Sequence, residues 1–350
     1  MKVVAVLYPG GDAADNPEVL GCAENALGLR ESLEEDGHEL VSTTEREGEA
    51  LLGDLRDADV LITTPFWPVY VTKEMLDETP DLKLILTAGV GSDHVDLGEA
   101  AERGITVAEI TGSNTTSVAE HAVMQVLALV RNFIPSYKDI VDGGWSIGEI
   151  AAGSHDLERK TVGIYGAGQI GQLIASRLKP FDVETLYYKR SRLGTTEELF
   201  LGIRYATLDE MVEESDVIVV ASPLTPETKG LFDRETLFSM KRGAHLVNIA
   251  RGAIVETDAL VEALEEGHLG GYAGDVWDPQ PAPPDHPWRT MPNHAMTPHV
   301  SGTTLEAQKR YASGVRDSLM AFLEGKPIRD DYVMVADGEI QSGSYKAIYG

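Results

Sequence analysis

The sequence predicts an α/β protein of two wound units, each a largely parallel sheet with helices on its faces. Three observations carry that expectation. Short apolar runs alternate with amphipathic stretches along nearly all 350 residues. A glycine-rich turn, Gly166-Ala167-Gly168-Gln169-Ile170-Gly171, follows an apolar run and opens a second βαβ series. The tail from Thr304 opens with a helical period over Leu305–Leu323 and holds nothing like a third domain. It is therefore expected to pack back on the first unit.

In chain order, Lys2–Tyr8 is apolar and runs into the turn Pro9-Gly10-Gly11. That reads as a buried first strand, not a cleavable leader. Glu18–Glu35 carries Val19, Ala23, Ala26, Leu27 and Leu33 on one face and meets Gly37, the pattern of a helix. Strands are expected at Glu39–Thr43, Val60–Thr64, Leu82–Thr87 and Ile105–Glu109, with helices between them. Ser117–Ile134 is a helix apolar on several faces, expected to be buried between domains or subunits. Pro135–Glu158, with Gly143-Gly144-Trp145, reads as an irregular arm that reaches a partner subunit. The second unit starts at Lys160. Six strands follow: Val162–Tyr165, Val183–Tyr188, Asp216–Ala221, His245–Ile249, Tyr272–Val276 and Ala295–Thr297, as many as a Rossmann sheet needs.

Lys and Arg number 29 against 57 Asp and Glu, a formal net charge of −28. Nucleic acid and anionic membranes are poor partners for such a surface. The acids are dispersed, as on a well-solvated surface or one adapted to high salt. No apolar run is long enough to span a bilayer. The single Cys22 cannot form an internal disulfide and is read as a buried thiol on the 18–35 helix; a reducing cytoplasm is the expected location.

The Gly166–Gly171 turn has the context that makes such a motif specific: strand before, helix after, second strand at the right distance. Gly166, Gly168 and Gly171 permit a tight turn, close approach to a pyrophosphate and close helix–strand contact, while the helix amino terminus offers unpaired N–H groups. A nicotinamide dinucleotide is the expected ligand. About 18 residues after Gly171, where an acid would bind the adenosine ribose 2′-OH, stands Lys189-Arg190-Ser191-Arg192. Three cations and a hydroxyl suit a 2′-phosphate, so NADP is expected, with NAD also possible. The alternative is that these side chains point to solvent and accept both. Near later strand ends lie Asn248–Gly252, Gly274–Pro281 and Thr297–Gly302. Ligands of open α/β sheets bind beyond the carboxyl ends of the strands, so Arg251, Asp275 or Gln280, and His299 are candidates to converge. His94, His121, His155 and His294 default to structural roles. No metal-ligand spacing is present, and no metal is expected.

With Pro65-Phe66-Trp67-Pro68, Ala88–His94, Gly112-Ser113-Asn114 and the run Gly274–Gly302, the chain from about Val3 to Val335 resembles the D-2-hydroxyacid dehydrogenases, and specifically their NAD(P)-dependent formate dehydrogenase branch. The resemblance implies a Rossmann nucleotide-binding domain, residues 115–302, inserted into a flavodoxin-like catalytic domain of residues 1–114 and 303–350. It also implies a homodimer and formate as substrate. That family carries an Arg, an acid and a His. Arg251 and His299 match two, and Gln280 stands at the acid position, the mark of the formate branch. The chemistry agrees: formate is already an anion without a hydroxyl proton, and hydride loss gives CO2 directly, so no base is needed. Gln280 can hold His299 without adding charge.

The resemblance assigns formate binding to Arg251, Asn114 and the Val90 N–H, with Pro65 and Phe66 walling the pocket. Asp275 would bind the nicotinamide carboxamide. Gln169 and Ile170 would meet the pyrophosphate through their N–H groups, and Pro223 and Thr228 would line the cofactor groove. Ala250, Ser301 and Gly302 complete the cofactor contacts. The main departure from the family is Lys189. Competing readings are a D-2-hydroxyacid dehydrogenase or glyoxylate reductase, and a nucleotide-sensing binding protein on the same fold. Gln280 in place of an acid weighs against both.

Overall fold

The computed structural model describes residues 1–343, 345 and 346. The chain divides into two compact units, Met1–Asn114 with Gly302–Gly350, and Thr115–Ser301. In the first part of the first unit the strands are β1 (Lys2–Val6), β2 (Glu39–Thr43), β3 (Val60–Thr63), β4 (Leu84–Thr87) and β5 (Thr106–Glu109). Its helices there are α1 (Arg30–Glu35), α2 (Gly48–Leu55), α3 (Lys73–Glu78) and α4 (Leu97–Glu102). The second unit opens with helices α5 (Thr115–Val130), α6 (Phe133–Val141) and α7 (Ile147–Ala152). Then come β6 (Thr161–Tyr165), α8 (Gln169–Leu178), β7 (Glu184–Tyr188), α9 (Thr195–Leu201), β8 (Ile203–Tyr205), α10 (Leu208–Glu214) and β9 (Val217–Val220). It ends with α11 (Arg234–Ser239), β10 (His245–Asn248), α12 (Thr257–Glu265), β11 (Gly271–Gly274) and β12 (His294–Met296). The tail returns to the first unit as α13 (Leu305–Leu323), β13 (Val333–Ala336) and β14 (Glu339–Ile340).

The first sheet has the order β14-β13-β5-β4-β3-β1-β2, with β1 to β5 parallel and β13 antiparallel to β5. The order of these five parallel strands, β2-β1-β3-β4-β5, is that of flavodoxin-like sheets. The second sheet, β12-β11-β10-β9-β6-β7-β8, is parallel throughout, and the order in which strands are added reverses between β6 and β9. Each sheet is covered on both faces. In β9, Val217 and Val219 pack with α5 and α8, while Ile218 and Val220 pack with α10–α12. A strand buried on both sides has to be apolar at every position, which is why these segments read as unbroken apolar runs.

Several expectations fail for identifiable reasons. Residues 18–35 are not one helix: Ala26 and Leu27 adopt left-handed backbone, at φ 46° and 57°, and only Arg30–Glu35 is α-helical. Cys22 forms a parallel bridge with Tyr8, and Gly21 donates its N–H to Gln308 on α13 at 2.9 Å. Burying Leu27, Leu29 and Cys22 against the sheet outweighs the helical period. Cys22 is thus a buried thiol, pushed up by burial, but not on a helix. The long helix stops at Val130, because Asn132 turns left-handed at φ 51°. Its apolar face packs on α8 within the second unit. The arm is not irregular: it folds as α6 and α7, joined by Asn132 Nδ2 donating to the Ile150 carbonyl and Ser146 bonding Asp139. The second sheet has seven strands, not six. β8 is a three-residue edge strand, too short to show a period.

Candidate active site

In the second unit the site is built on strand ends. Gly166, immediately after β6, sits at φ 110°, and a Cβ there would lie 2.5 Å from the Ser222 nitrogen. The turn can therefore hug β9 only with glycine. A Cβ on Gly171 would fall on the Gly166 carbonyl oxygen, so α8 can approach the turn only because that residue too is glycine. Gly168 caps α8 without a side-chain bond, leaving the N–H groups of Gln169 and Ile170 directed out of the helix end. The Ser222 hydroxyl beside this turn is buried and has no partner among the described residues. A glycine cradle, uncapped helix N–H groups and an unmatched hydroxyl fit the pyrophosphate of a dinucleotide. The loop beyond β9 is closed on itself: Thr228 Oγ1 donates to the Pro223 carbonyl at 2.8 Å and accepts from the Thr225 N–H at 2.8 Å.

The adenosine end follows from one carbonyl. Tyr188 accepts from both Gly166 N and Ala167 N, at 3.0 and 3.1 Å, so Lys189 begins directly beside the glycine turn. Arg190 and Ser191 are exposed, and no residue of Lys189–Ser191 forms an ion pair among the described residues. Arg192 differs: its Nε and Nη2 donate to Glu198 at 2.7 and 3.0 Å. Of the three cations expected to read a 2′-phosphate, Arg192 is thus the one turned to an internal carboxylate.

At the other end, β10 stops at Asn248, whose buried amide accepts from Ala250 N at 3.0 Å and donates to the Arg251 carbonyl at 2.9 Å. This fixes the backbone of the candidate Arg251. Asp275, directly after β11, has no exposed surface. Its Oδ1 accepts from Thr297 Oγ1 and Val300 N, at 2.5 and 2.9 Å, and its Oδ2 from Ser301 N at 2.8 Å. Asp275 thereby holds the loop bearing His299, which sits at a left-handed φ of 56°. His121 on α5 reaches Thr297 Oγ1 at 3.2 Å, and burial pushes its pKa below the ordinary imidazole value. Gln280 presents its amide to His299 Nδ1, with Nε2 at 2.7 Å and Oε1 at 2.9 Å. The amide can donate to that nitrogen or accept from it, so Gln280 holds the ring without itself adding a charge.

The first unit brings another set together. Gly89 packs on Pro65, where a Cβ would be 2.9 Å from Cδ, and on Phe66. Gly302 packs on Asn114, where a Cβ would be 2.6 Å from Nδ2, and on the same Phe66 ring. The Asn114 Oδ1 is buried without a partner among the described residues. Val90 follows Gly89 in a loop pinned by Glu109, whose carboxylate accepts from Gly91 N at 3.0 Å and Ser92 Oγ at 2.9 Å. Glu109, Asn248, Thr297 and Glu198 are supporting residues that the sequence reading missed. Each lies at or near an element end, yet its partner is set by the fold.

The profile described as D-isomer specific 2-hydroxyacid dehydrogenase, NAD binding domain, matches residues 123–301. The mitochondrial formate dehydrogenase of Solanum tuberosum is 50% identical over 97% of this chain and 90% of its own length. Among solved structures, the Granulicella m. formate dehydrogenase superposes with a TM-score of 0.94 at 46% identity, covering 97% of this chain and 99% of that one. An NAD-dependent formate dehydrogenase of Staphylococcus aureus, in complex with NAD, gives 0.90 at 48% identity, covering 96% and 99%.

Proposed function

The chain belongs to the D-isomer specific 2-hydroxyacid dehydrogenase family and, within it, to the formate dehydrogenases; from that premise we propose that it oxidises formate to CO2 with a nicotinamide dinucleotide, NADP in preference to NAD. The observation that carries the reading is the neutral Gln280 amide on His299 Nδ1. A 2-hydroxy acid must lose an oxygen-bound proton to a base, and a carboxylate beside the His would raise its basicity. Formate gives up only a hydride, and the whole charge change is HCOO⁻ losing H⁻ to become CO2. A His that orients an anion is better served by a neutral neighbour than by a second negative charge.

The bound dinucleotide supplies the hydride acceptor. The chain's own residues bind and orient. Arg251 pairs its guanidinium with the formate carboxylate, and His299 Nε2 adds a further donor. Asn114 and the Val90 N–H provide neutral donors, and Pro65 and Phe66 exclude water, so the substrate is held in a near-attack pose. Asp275 takes the nicotinamide carboxamide, the role the resemblance implies, while it anchors the His299 loop. The unit of residues 115–301 serves as nucleotide-binding domain and the other as substrate domain. Lys189 and Arg190, with no acid at their place, support the 2′-phosphate preference. Among the described residues no helix is long and apolar enough to cross a membrane, and the lone buried Cys22 suits a reducing cytoplasm. The exposed apolar side chains of α6, α7 and the turn between them, among them Tyr137, Ile140, Trp145 and Ile147, support a homodimer through this arm.

The test is reduced-nicotinamide absorbance on adding formate. Arg251→Ala should lower kcat/KM by at least about a hundredfold, as expected for loss of a bidentate charged partner. Faster turnover of lactate, glycerate or glyoxylate than of formate would overturn the substrate assignment.

A further inference from the structure

The glycine turn and the Lys189–Leu193 loop are joined through two neighbouring residues of β7. Tyr188 closes one end of the loop through its carbonyl, as described above. Tyr187 closes the other: its hydroxyl accepts from Leu193 N at 3.0 Å and donates to Glu198 Oε1 at 2.5 Å. Glu198, on α9, takes both guanidinium bonds of Arg192. The Arg192 guanidinium also lies over the Tyr205 ring, 5.4 Å from its centroid, and Tyr205 meets Tyr187 edge-on. Glu198 and Leu193 are nearly buried and Tyr187 wholly so, although the Arg192 side chain keeps 63% of its surface exposed. The Arg192 guanidinium, and after it the Tyr187 hydroxyl, hold the Glu198 carboxyl down at about 2, so the pair is charged throughout the working range.

We propose that Glu198 is a specificity-determining positioning residue, which, with Tyr187 and Arg192, fixes the Lys189–Ser191 span where the adenosine ribose carries its 2′-phosphate. This rests on the NADP reading given above and deepens it. Arg192 is then a strut and not a phosphate ligand. The phosphate is met by Lys189, Arg190 and the Ser191 hydroxyl, three successive residues between two fixed points. A short span held at both ends loses little backbone freedom when it binds, so its cations reach the phosphate at a reduced ordering cost. A cation already paired to a carboxylate has less to offer a second anion. The same geometry explains why the loop tolerates adjacent cations: Glu198 neutralises one of them inside the protein.

The two roles for Arg192 predict opposite results for Glu198→Gln. If Arg192 were a ligand, releasing it from Glu198 would leave NADP binding unchanged or strengthen it. If the pair is a strut, releasing it frees the loop and weakens NADP alone. The experiment measures initial rates with formate for the full-length wild type and for E198Q, against NADP and NAD. Calorimetric binding of 2′,5′-ADP and of 5′-ADP runs in parallel.

The expected result is a KM for NADP raised about three- to tenfold, the KM for NAD within about twofold, and kcat at saturation unchanged with both. The preference for 2′,5′-ADP over 5′-ADP should fall by the same factor. Tyr187→Phe, which keeps the ring and removes one bond at each side of its hydroxyl, should move the ratio the same way by less. It serves as the second variant should E198Q not fold. An NADP KM unchanged or lowered in E198Q overturns the strut, as does a rise of both KM values together, which marks a general structural effect. A wild type that binds 2′,5′-ADP no better than 5′-ADP overturns the NADP reading itself. A wild type that prefers it, with both variants unmoved, overturns only the role of Glu198.

Discussion

Replacing Asp275 by Asn removes one buried charge and changes almost no volume. In the wild type three donors converge on that carboxylate: Thr297 Oγ1, Val300 N and Ser301 N. The amide can keep two of them at most. With its oxygen in place of Oδ1, its NH2 faces the Ser301 N–H, and two donors then confront each other in a site with no exposed surface. A charge-assisted bond to a buried group contributes about 1.5–3 kcal/mol, and the stranded N–H costs about 1–3 kcal/mol. The loop also stores strain, since His299 in left-handed backbone costs about 1–2 kcal/mol that these bonds offset. Together they put the local loss at about 3 kcal/mol, or roughly a hundredfold in the opening equilibrium of the loop. Amide hydrogen exchange of cofactor-free protein reads this directly, because a role confined to the carboxamide would not show there. Val300 and Ser301 should exchange about a hundredfold faster in D275N, and kcat with formate should fall by about the same factor as His299 loses its place. Protection at both amides within about threefold of wild type would refute the anchoring role.

Gly171→Ala places a methyl on the Gly166 carbonyl and 3.1 Å from Ile164 Cγ2, so α8 must shift away from the phosphate turn. The Kd for NADP, followed by fluorescence, should rise at least about tenfold, and a change below about twofold would contradict the close-packing argument. Burial pushes His245 down to about 4, so it is neutral in the fold, whereas the unfolded chain takes up the proton near the ordinary imidazole value of 6.5. Stability should therefore fall as pH drops from 6.5 to about 4, by up to about 3 kcal/mol. His245→Gln should flatten that segment of the melting-temperature profile, and an unchanged slope would count against it. Trp145 and Tyr137 keep 78% and 62% of their surface in the single chain. Light scattering should report a dimer that Trp145→Glu weakens, and a wild-type particle of 37.9 kDa would exclude the arm as an interface.

What the sequence determined by itself was local. The inner strands of both sheets, such as β3, β4, β9 and β10, are buried on two faces, so their composition marks them wherever they lie. The Gly166–Gly171 turn is legible because each glycine answers a backbone demand within a few residues. Gln280 and His299 are legible as residue types, since their chemistry separates loss of a hydride from loss of a hydride and a proton. The tertiary structure decided everything that depends on a partner far along the chain. Residues 18–29 carry a helical period, but Tyr8 and Gln308 compete for their backbone, and the buried apolar surface favours the irregular path. Arg192 looks like its neighbours Lys189 and Arg190 until α9 turns Glu198 toward it. Asp275 is legible as a candidate ligand at a strand end, but only the return of the 297–301 loop onto it makes it an anchor as well. Periodicity and turn chemistry are properties of neighbouring residues, whereas the pairing of a buried charge is settled by which distant donors the fold brings within 3 Å of it.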